Sequence, residues 1–229
     1  MALYAIGDLH LSLGTDKPMD VFGGPWENYV EKIKLGFSSL HADDVCVLCG
    51  DLAWGMTMEQ ALPDFQFIEA LPGKKILLKG NHDFWWSTAK KAYDFFEAHD
   101  MHTMDILNNN CYFYGDYAIC GTRGWFYEET KGEAHDRKIM LREVGRLETS
   151  LKAAGDRTKL VFLHYPPKYL GYECPEILDL LDAYHVPLCC YGHIHSRGCR
   201  SAFQGMYHDT EFRLLSADYI SFCPRRILP

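Results

Sequence analysis

Apolar residues along the chain recur with two different periods, and the switch between them marks out the elements. Leu3–Ile6, Val45–Cys49 and Lys75–Lys79 are short apolar runs bounded by glycine or polar residues, as expected of strands buried on both faces. Between the first two, Trp26, Val30, Ile33, Phe37 and Leu40 follow one another at alternating steps of four and three, the stripe of an amphipathic helix. Residues 59–70 carry a second helical stretch and residues 84–98 a third. The resulting β-α-β-α-β order predicts neighbouring parallel strands joined by right-handed crossovers.

Further along, Cys111–Tyr114 and Tyr117–Cys120 flank Gly115-Asp116, a good two-residue hairpin turn. Met140, Val144, Leu147 and Leu151 mark another helix. Lys159–Leu163 and Pro187–Tyr191 read as strands on either side of a helix over 175–184, with Pro175 suited to its first turn. The tail from Arg200 alternates loosely and predicts antiparallel strands. The expected class is α/β, a two-sheet sandwich with helices outside, in a single domain over residues 1–229.

Composition narrows the picture. With 48 % apolar residues the chain is an ordinary globular one, and no run approaches the roughly 18 apolar residues of a membrane span. The opening residues lack the basic region and long apolar stretch of a signal peptide, and nine scattered cysteines do not look like a disulfide framework, so the expected compartment is the cytoplasm. Cys46 and Cys49, three apart on a strand, should face opposite sides and pack as small hydrophobes, as should Cys189 and Cys190. A formal net charge of −8 argues against broad binding of nucleic acid.

The candidate chemistry lies where predicted strands end. Gly7-Asp8-Leu9-His10, Gly50-Asp51, Gly80-Asn81-His82-Asp83, His164 and Gly192-His193-Ile194-His195 all occupy such positions, and in open α/β sheets ligands bind at the carboxyl ends of strands. Asp8/His10 and His193/His195 are i, i+2 pairs, which an extended backbone would point to one side. With Asp51, Asn81 and His164 they supply seven oxygen and nitrogen donors and no sulfur. That set suits Mn²⁺, Fe or Zn²⁺ in a reactive site, and it exceeds the needs of one tetrahedral ion.

These blocks, D-x-H, G-D, G-N-H-D, a lone H and G-H-x-H, occur in the order that typifies the calcineurin-like metallophosphoesterases, which the sequence resembles from residue 7 to residue 195. The resemblance implies a four-layer αββα fold and two divalent metal ions. It places Asp8, His10 and His195 on one ion, Asn81, His164 and His193 on the other, and Asp51 between them. It further implies hydrolysis of a phosphomonoester or phosphodiester by a metal-bridging hydroxide, with His82 protonating the leaving group. Asp83 would then orient and polarise His82. A non-catalytic scaffold of the same fold and a nuclease are the alternatives; the acidic balance disfavours the nuclease, and a small phosphate ester is the expected substrate.

Outside the signature, Arg123 and Trp125 in Gly121-Thr122-Arg123-Gly124-Trp125-Phe126-Tyr127 could grip a phosphate and stack a ring, or serve a local ion pair and a core. Specificity is expected of the 122–137 loop. Trp85-Trp86 should pack in the core rather than line a cleft. His41, His99, His102, His135, His185 and His208 fit no block and are expected to be surface or structural residues.

Overall fold

The computed structural model describes residues 1–126 and 133–229. Its first sheet contains β1 (Leu3–Ile6), β2 (Val45–Leu48), β3 (Lys74–Leu77) and β4 (Met104–Ile106), all parallel, with the last strand of the chain, Arg225–Leu228, antiparallel against β1. Helices α1 (Tyr29–Phe37), α2 (Leu62–Ala70) and α3 (Ala89–Ala98) connect the four parallel strands. The second sheet has the order β11-β12-β10-β7-β6-β5, from Gly205–Tyr207 (β11), Thr210–Leu214 (β12), Leu188–Tyr191 (β10), Thr158–Leu163 (β7), Tyr117–Thr122 (β6) and Cys111–Tyr114 (β5). Its four inner strands are parallel and its edge strands antiparallel. Helices α4 (Glu133–Ala153) and α5 (Pro175–Ala183) belong to this half, and a small hairpin of β8 (Lys168–Tyr169) and β9 (Tyr172–Glu173) lies between β7 and α5.

Strand alternation builds the layers. Leu3, Ala5, Val47, Cys49, Ile119 and Leu160 meet in one apolar layer between the sheets. Ile6, Cys46, Leu48 and Leu77 turn instead toward Ile33, Phe37, Phe65 and Phe96 of α1–α3. On the other side, Ala118, Cys120, Val161 and Cys189 face Leu147, Leu151, Ile177 and Leu181 of α4 and α5. The molecule is thus a helix–sheet–sheet–helix sandwich, as expected. Each fully buried aliphatic or aromatic side chain in these layers contributes about 1.5–3 kcal/mol. Cys46 and Cys49 lie in different layers, as do Cys189 and Cys190, and all nine cysteines are free.

Three expectations need correction. The helix placed at 84–98 begins only at Ala89, because Thr88 adopts an extended conformation and its hydroxyl accepts from the Lys91 amide at 3.2 Å, an N-cap. The helix placed at 59–70 begins at Leu62, where Pro63 favours the first turn. The tail is not wholly antiparallel: β12 lies parallel to β10, so its carboxyl end emerges on the same edge as the ends of β7 and β10. Among the described residues no helix is long and apolar enough to cross a membrane.

Candidate metal centre

The chain leaves β1, β2 and β10 through tight turns rather than extended segments. Asp8, His10, Asp51 and His193 have φ of 62°, 46°, 51° and 69°, the left-handed region that non-glycine residues enter at a cost of about 1–3 kcal/mol each. The i, i+2 pairs therefore converge by left-handed turns, and the expectation of an extended backbone at Asp8/His10 and at His193 is wrong. Backbone bonds hold the turns in place: Asp8 N donates to Gly50 O, and His10 N to Asp51 O, both at 2.9 Å.

These turns gather the predicted donors into two adjoining clusters. Asp8, His10 and His195 form one and Asp51, His164 and His193 the other; within each, the ligand atoms lie within 4.8 Å of one another. Asp51 Oδ2 stands 3.8 Å from His10 Nε2 and 3.5 Å from His164 Nε2, between the two groups. Asn81 joins the second cluster through its Oδ1, 2.6 Å from His164 Nε2. All seven side chains therefore meet, although they are spread over residues 8 to 195.

The electrostatics of the pocket fit cations. Burial pushes His164 down to about 3 and His193 to about 4, and holds His10 well below the usual imidazole range, so these rings are neutral and offer lone pairs. His164 Nδ1 donates to Cys49 O at 3.0 Å, which leaves its Nε2 lone pair directed at the Asn81 carbonyl oxygen, an acceptor facing an acceptor. Burial, followed by the like charges of Asp83 and Asp8, raises Asp51 well above the carboxylate range. Asp8 is the opposite case: burial opposes its ionisation, but His195 in particular holds it low. His195 is raised to about 10 against burial by Asp8 and by the hydrogen bond to Asp218. Cations placed among these donors would relieve the facing acceptors and the crowded carboxylates together.

Several residues position the donors without joining either cluster. Asp218 Oδ1 accepts from His195 Nδ1 at 2.9 Å and Oδ2 from Ser196 N at 2.8 Å, which turns Nε2 of the ring toward Asp8 Oδ1 at 3.6 Å. The sequence reading missed Asp218. Its signal was the position just after β12, a strand end on the same edge. Two glycines leave room for the carboxylates: a Cβ on Gly80 would lie 2.0 Å from Asp51 Oδ1, and one on Gly192 2.4 Å from Asp8 Oδ2.

Asp83 does something other than expected. Its two oxygens accept from Gly80 N (2.7 Å), Leu52 N (2.8 Å), Asp51 N (2.9 Å), Trp85 Nε1 (3.1 Å) and Ala53 N (3.3 Å). Five donors saturate a carboxylate, so Asp83 ties the loop after β2 to the loop after β3 instead of polarising His82. The His82 ring packs on Trp54 at 4.6 Å and approaches His10 at 5.8 Å, at the rim of the first cluster, while its backbone N–H donates to Asp51 Oδ1 at 2.7 Å.

The residues outside the signature divide. Arg123 lies 3.6 Å from Glu143 Oε1 and over the Tyr165 ring at 5.8 Å, and Trp125 packs with the helix-side core of the second sheet; neither is in a donor cluster. Trp85 and Trp86 are both buried, but Trp86 also lines a cavity with Lys79 and Arg123. The six remaining histidines are all exposed. Of the 122–137 loop, residues 127–132 lie outside the described residues.

The comparisons with known proteins agree with this fold. The phosphopantetheinyl hydrolase PptH of Mycobacterium tuberculosis superposes with a TM-score of 0.59 at 16 % identity, over 100 % of this chain and 96 % of that one. The protein TT1561 of Thermus thermophilus gives a TM-score of 0.58 at 14 % identity, covering 99 % and 97 % of the two chains. A protein of unknown function from Aquifex aeolicus gives 0.51 at 16 %, covering 98 % and 95 %. At such identities the likeness is one of fold. No curated protein sequence matches. Residues 1–197 match the family model described as calcineurin-like phosphoesterase, and with its two donor clusters assembled on that fold, the chain belongs to this family.

Proposed function

We propose that the chain hydrolyses a small phosphomonoester or phosphodiester with two divalent cations as cofactors. The observation that carries this reading is the pair of adjoining donor clusters with Asp51 between them. Asp8, His10 and His195 would hold one ion, and Asn81, His164 and His193 the other, with Asp51 facing both. Nitrogen and oxygen donors without sulfur suit Mn²⁺, Fe or Zn²⁺. When bound, such ions supply Lewis-acid polarisation of the phosphate and an acidic water at neutral pH.

The chain's own side chains have separate tasks. His10, His164 and His193, kept neutral by burial, need shed no proton to bind a cation. His82, outside both clusters and at their rim, holds a proton at a ring nitrogen for the departing ester oxygen. Asp218 and Asp83 fix the positions of His195 and of the two central loops. Because the donors come from both sheets, we read residues 1–229 as one domain. The name of the PptH neighbour supports hydrolysis as the reaction class, and the matched family supports the phosphate ester.

The test is an assay of purified protein on a chromogenic phosphodiester and a chromogenic monoester, with Mn²⁺ restored after chelation. Activity is expected with about two metal ions per chain, as a two-metal site requires. Activity that survives Asp51→Asn or His193→Ala would refute the assignment.

A further inference from the structure

The carboxyl ends of β3, β4 and β6 enclose a second cavity of about 130 Å³, far above the ~10–15 Å³ that a single water needs. Neighbouring backbone connects it to the candidate metal centre. Lys79 directly precedes Gly80-Asn81, and the Arg123 carbonyl accepts from His164 N at 3.1 Å and from Tyr165 N at 2.9 Å. Four cations, Lys79, Arg123, Arg142 and Arg146, line it against one carboxylate, Glu143. On a chain with a formal charge of −8 this is a concentrated positive site.

Glu143 does not account for the cluster. It is buried, with one oxygen accepting from Thr122 Oγ1 and the other from Arg146 Nη1, both at 2.7 Å, and Arg123 beside it at 3.6 Å. A structural ion pair is complete with those partners. Lys79 and Arg142 are surplus: among the described residues neither forms an ion pair. Arg123 Nε is buried without a hydrogen-bond partner among the described residues. Asn108 and Ser87 add neutral polar groups to the wall. The unmatched Arg123 Nε and the like charges beside half-buried Lys79 are costly unless an anion completes them, while exposed Arg142 adds positive charge. Guanidinium forks around a small polar space match the oxygens of a phosphate group.

We propose that this cavity binds a phosphate-type oxyanion carried by the substrate, a second phosphate remote from the ester that is cleaved. The assignment rests on the phosphoesterase reading and narrows it to esters with a further anionic group. The backbone adjacency argues for a group on the substrate: Lys79 lies two residues from Asn81, and the Arg123 carbonyl is bonded to His164 N.

Two measurements test this. Chelated, metal-free protein is titrated with inorganic phosphate by calorimetry, as wild type and as the Lys79→Gln/Arg142→Gln double variant. Those positions leave the ion pair of Glu143 intact, and circular dichroism checks that the variant is folded. Saturable phosphate binding is expected in the wild type and about 10–100-fold weaker binding in the variant, as charge-assisted contacts are lost. Metal-loaded protein is then assayed on two aryl phosphodiesters that differ only in a pendant, non-hydrolysable phosphonate. The wild type should prefer the phosphonate ester by about tenfold or more in kcat/KM, through KM, and the variant should lose that preference. No phosphate binding, or equal binding by the variant, would overturn the anion site. Phosphate binding without a preference between the esters would overturn the substrate assignment and mark the cavity as a site for a free anion. Failure to hydrolyse either ester, with phosphate binding intact, would instead sink the phosphoesterase reading and the substrate assignment with it.

Discussion

Replacing Asp83 by Asn preserves the size of the side chain and changes what it can accept. In the native structure Oδ2 takes the N–H groups of Gly80 and Asp51, and Oδ1 those of Leu52, Ala53 and the Trp85 indole. Asparagine has a single acceptor oxygen, so with the amide in either orientation two or three of these donors face an NH₂ group. A buried donor left unmet costs about 1–3 kcal/mol, so two of them amount to about 2–6 kcal/mol. Burial raises the Asp83 carboxyl above its ordinary range, and removing its charge offsets part of that loss, which favours the lower end. About 2 kcal/mol is still a large share of the 5–15 kcal/mol that holds a typical domain together. Urea unfolding of chelated protein, followed by tryptophan fluorescence, should show a lower midpoint in Asp83→Asn. Metal-loaded variant should lose turnover in step with lost metal, with the pH–rate profile unmoved. An unfolding free energy within about 0.5 kcal/mol of wild type, together with a displaced pH–rate profile, would refute the clamp and make Asp83 the partner of the His82 ring.

Other expectations follow from the same contacts. Asp218→Asn keeps one acceptor for two donors, so metal affinity at the Asp8–His10–His195 cluster should fall about 10–100-fold in a chelator-competition titration. His82→Gln should keep its metal content by elemental analysis while turnover falls about 10²–10⁴-fold; metal loss in that variant would make His82 a ligand. Gly80→Ala should disable the centre, because the added Cβ meets Asp51 N at 2.2 Å, and loss of bound metal reports it. Asp64 is buried with one oxygen on Leu13 N at 2.7 Å and the other without a partner among the described residues, and burial pushes its carboxyl up to about 6. The folded chain then holds a proton that the unfolded chain releases near pH 4, so this group lowers stability as pH rises from about 4 to about 6, and the loss persists above. Asp64→Asn should therefore melt above wild type at pH 7 and level with it at pH 4; equal melting temperatures at both pH values would contradict this.

Much of the site was legible because its residues carry local signals. A glycine and a polar residue at the end of an apolar run mark a strand end wherever the strand lies in the sheet; four such blocks, with the lone His164 after a fifth run, hold all seven donors. The layers were legible for the same reason. Alternation along a strand sends Cys46 and Cys49 to opposite faces whatever packs against them. The roles of the supporting carboxylates were not legible. Asp83 next to His82 in sequence looks like its partner, yet its oxygens point into the loop after β2, 30–32 residues away. Asp218 was hidden because the pattern of the tail does not reveal that β12 runs parallel to β10.

Element order, strand faces and the identity of the donors are written locally along the chain, because each depends on the pitch of a strand or helix and on residues within a few positions. The left-handed turns at Asp8, His10, Asp51 and His193, the duties of Asp83 and Asp218, and the meeting of Lys79 with Arg123, Arg142 and Arg146 arise only once the chain is packed. Those depend on which strand ends lie side by side. Sheet order is set by the packing of the apolar layers over the whole chain, and no local pattern carries it.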